Sequence, residues 1–177
     1  MKRGGAVLMK LRIALLLTLI SGFMLPACGY RFAGGGDLPA SVKKISVSVF
    51  ENRTAESGIE NVITNDIIYE FTRNGKAVEN KEGADAYFTG IIESVSDEAI
   101  SHRGSQTSLE RRVRVVLSLK LTDRGGKIIW TAKEVSSDQA FTVLSNKSAT
   151  ENEKRNAIAV LSKRLAEKTY NMLTENF

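Results

Sequence analysis

Between Lys43 and Phe50 the chain alternates Ile45, Val47 and Val49 with Ser46 and Ser48, the period-two pattern of a strand with one buried face. The period then changes. Ser57-Gly58-Ile59-Glu60 has capping-box spacing, and Ile59, Val62, Ile63, Ile67 and Phe71 fall on one helical face until Gly75, which predicts a helix over Gly58 to Asn74. A second extended region begins near Ala77, and its main body, Ala84 to Ile100, sets Ala86, Phe88, Gly90 and Ile92 on one side. After a polar connection from Ser101 to Glu110, Val113, Val115, Leu117, Leu119 and Leu121 alternate with Arg112, Arg114, Ser118, Lys120 and Thr122. Asp123-Arg124-Gly125-Gly126 reads as a hairpin turn, and Ile128 to Val143 returns as an antiparallel strand with Ile128 and Trp130 inward. Thr150 to Glu153 repeats the capping-box spacing and opens a last helix striped by Ile158, Leu161, Leu165, Met172 and Leu173. The order β-α-β-β-β-α predicts an α+β two-layer sandwich, two helices packed on one face of a four-stranded, mainly antiparallel sheet. The other sheet face is polar and needs either water or a partner.

Ahead of this domain the pattern is of a different kind. Lys2, Arg3, Lys10 and Arg12 precede an apolar run from Ile13 to Leu25, the arrangement of a secretory signal and short of a roughly 20-residue membrane span. An uncleaved anchor is the competing reading, and Met9 offers a second start. Leu25-Pro26-Ala27-Cys28-Gly29 resembles the bacterial lipobox, although Pro26 stands where a small or β-branched residue is commoner. The resemblance implies a diacylglycerol on the Cys28 sulfur, an N-acyl chain on its new amino terminus, and no other cofactor. One acyl chain binds membranes marginally, at about 0.8 kcal/mol per buried CH2, and several at one residue give firm attachment. Gly29 after the cysteine, in place of Asp, implies sorting to the outer membrane of a Gram-negative envelope, with the domain on its periplasmic side. The expected division is residues 1–27 as signal peptide, 28–40 as lipidated N-terminus and tether, with Gly34-Gly35-Gly36 and Pro39, and 41–177 as a single domain.

Composition narrows the chemistry. The 177 residues, 42% of them hydrophobic, suit one domain, and a single Cys and a single His leave no intramolecular disulfide and no Cys/His zinc site. The formal charge of +5 suggests a nucleic-acid partner until it is located: four of the 25 cations lie in the leader, which leaves 21 basic against 20 acidic side chains. What remains is local. Arg103, Arg111, Arg112 and Arg114 cluster beside His102 with only Glu110 opposing. Guanidinium groups bind phosphates bidentately, so the cluster suits an anionic glycolipid or polyanion; it equally suits a solvated strand face whose charges discourage edge pairing. No aromatic platform sits among these arginines, which disfavours single-stranded nucleic acid. His102 has no carboxylate nearby to orient it as a base, and Asp66 and Glu70, at i, i+4, are joined by no His or Cys. Walker A, G-x-S-x-G and H-E-x-x-H patterns are missing from the sequence, and no metal site is expected.

Cys28-Gly29-Tyr30-Arg31-Phe32 at the mature start, the loop ending in Leu38-Pro39, the first strand closing with Phe50-Glu51-Asn52-Arg53-Thr54, and the element order resemble the LptE family of LPS-assembly outer-membrane lipoproteins. The resemblance implies a non-enzymatic protein that sits as a plug in the β-barrel translocon LptD, assists its folding and binds lipopolysaccharide during insertion into the outer leaflet. It further implies lipopolysaccharide contacts at basic positions whose nearest matches are Arg103 and Lys133; Arg112 and Arg114, from the arginine cluster itself, are further candidates for the same ligand. A periplasmic lipoprotein adaptor of another envelope secretion or assembly machine is the alternative. An anchored hydrolase is a third.

Overall fold

The computed structural model describes Leu38, residues 42–101 and residues 109–175; Cys28, His102 and Arg103 lie outside the described residues. The elements run β1 (Lys44–Val47), β2 (Glu51–Asn52), α1 (Ile59–Arg73), β3 (Ala77–Val78), β4 (Ala86–Ser101), β5 (Leu109–Asp123), β6 (Ile128–Val143) and α2 (Lys147–Thr174). Their sheet order is β3-β1-β4-β5-β6, with β2 added to β4 beyond the end of β1. The α+β architecture follows the sequence pattern, but the sheet is mixed. β1 and β2 run parallel to β4, as a strand returning through a crossover helix must, whereas β4, β5 and β6 form an antiparallel meander. The extended region after α1 divides in two: β3 pairs with the far edge of β1, and β4 with its near edge.

Ala86, Phe88 and Ile92 on β4, and Val113, Val115, Leu117 and Leu121 on β5, are fully buried beneath Ile63 and Ile67 of α1 and Leu161 and Leu165 of α2. Each such aliphatic side chain contributes about 1.5–3 kcal/mol relative to exposure. Phe88 sits at the centre of an aromatic cluster, its ring centroid 5.5 Å from Phe71, 6.2 Å from Phe50 and 6.3 Å from Trp130. Leu38, within the segment read as a tether, is already part of this core.

Several local expectations are corrected. Val62 faces solvent, and Thr64 is buried in the same helix, because its hydroxyl accepts the Phe50 N–H (3.0 Å) and donates to the Glu60 carbonyl (2.6 Å). Ile128 is exposed: a register shift after the Leu121–Trp130 pair places it opposite Thr122. Gly58, at φ 86°, caps α1 in place of Ser57, and the Glu60 carboxylate serves the helix start. Its pKa lies below the usual 4.5, held down by its own backbone N–H, the Asn52 amide and a backbone hydrogen bond at Gly58, against the opposing effect of partial desolvation. Asn52 organises the whole β2–α1 loop. Its amide donates to the Glu56 carbonyl (2.9 Å) and Glu60 (2.8 Å), and its oxygen accepts the Thr54 N–H (2.9 Å) and hydroxyl (2.8 Å). Helix α2 begins a turn earlier than Thr150, where Asn146 accepts the Ala149 N–H (3.2 Å). Lys154 then ties α2 to the loop through Glu56 at 2.5 Å. Along the outer edge of β6, Lys168 and Arg164 donate to the Ser136 (3.1 Å) and Asp138 (3.4 Å) carbonyls, occupying groups that would otherwise template another strand.

Candidate anion-binding face

The sheet face turned away from the helices is creased along one line. Val47 pairs with Phe88 and Glu51 with Ile91, so the β1–β2 segment takes four steps where β4 takes three. On β4, Glu93 is the extra residue between the Ile92–Leu117 and Ser94–Val116 pairs. On β6, Lys133 and Glu134 together oppose Ser118, between the Leu119–Ala132 and Leu117–Val135 pairs. Glu134 has φ 57°, a left-handed conformation that costs a non-glycine residue about 1 kcal/mol or more and persists where the surroundings demand it. Bulges bend a strand and raise its twist, so these irregularities at the level of Leu117 and Ser118 fold the sheet into a concavity. Arg53 braces the crease, paired with Glu51 at 2.8 Å and with the bulged Glu93 at 3.4 Å. Those two carboxylates, Glu51 foremost, raise the guanidinium pKa further.

The concavity measures about 460 Å³ and is edged on one side by Ser48, Val49 and Glu51. Its floor is two cross-strand rows: Thr89, Lys120 and Thr131, then Ile91, Ser118 and Lys133. Lys120 and Lys133 are exposed, and among the described residues neither enters an ion pair, unlike Arg112 or Arg124. Two free ammonium groups over four hydroxyl-bearing side chains, with Val49 and Ile91 as apolar contacts, suit an anion carried on a polar, partly apolar body.

The arginine cluster separates across the strand. Arg112 and Arg114 share the outer face with Lys120, but Arg114 lies six residues along β5, roughly 20 Å away. Arg112 pairs with Asp138 at 3.2 Å, and Arg114 donates to the Ser136 hydroxyl at 2.9 Å. Arg111 turns to the helix side and binds the Asp97 carboxylate (2.7 Å) and carbonyl (3.1 Å). Lys133 is therefore the described candidate that lines the concavity, and Lys120, in sequence one of several outward residues of β5, lines it too. The available signal was the break in apolar parity from Trp130 and Ala132 to Val135, which marks the bulge beside Lys133.

The carboxylate pair on α1 also resolves. Glu70 is buried and accepts from Arg73 (2.9 Å) and Asn74 (2.8 Å), which makes it part of the helix's end. Among the described residues there is no group of three or more side chains able to hold a metal, and no helix is long and apolar enough to cross a membrane.

The profile of the LptE family, described as lipopolysaccharide-assembly, matches residues 42–173. No curated protein matches the chain. Among solved structures it is similar to an uncharacterized lipoprotein B from Nitrosomonas europaea, at 13% identity and a TM-score of 0.56 over 78% of this chain and 85% of that one. A minor lipoprotein from Acinetobacter baumannii gives 15% identity and a TM-score of 0.54 over 78% and 95% of the two chains. The rare lipoprotein B from Shewanella oneidensis gives 12% and 0.54 over 75% and 95%. At such identities the likeness establishes the fold, and the profile, which spans both helices and the whole meander, establishes the family: the chain belongs to the LptE family of lipopolysaccharide-assembly proteins.

Proposed function

We propose that the protein is a non-enzymatic outer-membrane lipoprotein, anchored through acyl chains on Cys28, that plugs and helps assemble an LptD-type β-barrel and binds lipopolysaccharide during its insertion into the outer leaflet. The observation that carries the binding half of this reading is the creased outer face, where Lys133 lies over a hydroxyl-lined concavity that the helices leave uncovered. A glycolipid headgroup presents phosphates and sugar hydroxyls together, and the concavity offers cations for the first and neutral hydrogen-bonding groups for the second. Arg112 and Arg114, farther along the same face, and Arg103 in the connection between β4 and β5 supply positive charge over which a polyanionic headgroup can extend. The outer face has the polarity expected of a surface that meets a water-filled barrel lumen, and the edge of β6 is blocked by Lys168 and Arg164, which favours a monomeric plug over strand-to-strand association.

Charge reversal at Arg103 and Lys133 together tests the reading. Lipopolysaccharide binding by the purified double variant should fall about a hundredfold or more, since each of the two lost charge-assisted contacts is worth roughly 1.5–3 kcal/mol, while barrel assembly in the outer membrane proceeds. Unchanged binding would remove these residues from the site.

A further inference from the structure

We propose that Lys120 of β5 joins Lys133 of β6 in a two-strand clamp for one phosphate of the glycolipid headgroup, with the β6 bulge setting the spacing; this rests on the lipopolysaccharide-binding reading above. The ladder places the two residues on one face as diagonal neighbours: Lys120 opposes Thr131, and Lys133, two residues on, opposes Ser118. Diagonal positions on adjacent strands lie roughly 7–8 Å apart, a span two long flexible side chains close easily around a single tetrahedral anion. Both lysines line the same concavity. Neither is engaged by a carboxylate among the described residues, whereas Arg111 and Arg112, from the same strand, are paired with Asp97 at 2.7 Å and Asp138 at 3.2 Å. Two unpaired ammonium groups held this close repel one another, and an anion between them relieves that repulsion.

The bulge supplies the geometry. With two residues, Lys133 and Glu134, opposite one, the strand kinks at this point, and Glu134 takes the left-handed backbone the kink requires. Ser118 lies beneath, on the same floor. The neighbouring Thr131 hydroxyl is committed to the Leu119 carbonyl at 3.1 Å, so it stiffens the floor beside Lys120 and accepts from the ligand without donating to it. The clamp therefore reads a phosphate through ammonium groups, with hydroxyls left for the attached sugar.

The test is binding of bisphosphorylated lipid A to the mature full-length lipoprotein in detergent, with Lys120→Gln, Lys133→Gln, the double variant, and Lys163→Gln on α2 as control. Each single clamp variant should weaken binding about tenfold, and the double variant should be little worse than either single, because half a clamp holds little. Lipid A stripped of phosphate should bind the wild type and the double variant alike, because the clamp then has nothing to hold. If Lys133→Gln weakens binding and Lys120→Gln does not, or if the two losses multiply, the clamp is wrong while the lipopolysaccharide reading stands. Failure of the wild-type protein to bind bisphosphorylated lipid A removes both. Unaltered thermal unfolding of the variants, expected at two exposed positions, confirms that binding and not folding was changed.

Discussion

Truncation of Phe88 to alanine is expected to cost about 4 kcal/mol of unfolding free energy, the largest single loss in the domain. The ring is fully buried on β4 and touches Phe50, Phe71 and Trp130, and Phe71 in turn meets Tyr170 at 5.7 Å. Through that chain one side chain connects the β1–β2 segment, α1, β6 and α2. Removing it leaves a cavity bounded by both helices and the sheet, and forfeits aromatic contacts worth about 0.5–1.5 kcal/mol each beyond their buried area. Chemical denaturation of wild type and variant gives the number directly. A loss below about 1.5 kcal/mol would mean that the rings close over the gap, and that the cluster is not the rigid centre described here.

Gly90→Ala should be nearly as damaging, although alanine is ordinarily the better strand residue. A Cβ at this position would stand 2.4–2.6 Å from three atoms of the Phe50 ring, well inside contact distance. Phe50 cannot swing aside freely: it is buried, and its N–H is held by the Thr64 hydroxyl at 3.0 Å. The expected cost is about 2–3 kcal/mol, the upper part of the usual range for overpacking. Because Gly90 also lines the outer concavity, the ring beneath it links the core to the crease on the far side. A double-mutant cycle with Phe50→Val isolates the cause. Once the ring is gone, Gly90→Ala should lose at least about 1 kcal/mol of its effect. Equal costs in both backgrounds would place the problem elsewhere.

Both positions were visible in the sequence as inward members of one alternating strand, and that strand's partners on β5 were visible for the same reason: five apolar residues at period two admit one buried face. The helices were legible from their periodicity, but their starts were not. Ser57 and Thr150 satisfy the capping-box spacing, yet Gly58 and Asn146 form the caps, because spacing alone does not show which groups a hydroxyl already bonds. The Thr150 hydroxyl, for instance, is occupied by the backbone of Leu144, accepting its N–H at 2.9 Å. The parallel pairing of β1 and β2 with β4 was hidden, since alternation reports a buried face and not a strand direction. The candidate site was legible in part. Lys133 was reached through family resemblance and Lys120 appeared only as one outward residue among several. What unites them is a bulge, and a bulge writes itself in sequence as a single break in parity, easily lost between Ala132 and Val135.

On the reading proposed above, lipopolysaccharide meets this protein on the creased outer face. Site-specific photocrosslinking in living cells can locate that contact, with a photoreactive residue at Thr131, on the floor of the concavity, or at Tyr69, exposed on α1 on the opposite side. Lipopolysaccharide adducts are expected from Thr131 and not from Tyr69. Adducts from Tyr69 with none from Thr131 would place the lipopolysaccharide on the helical side instead.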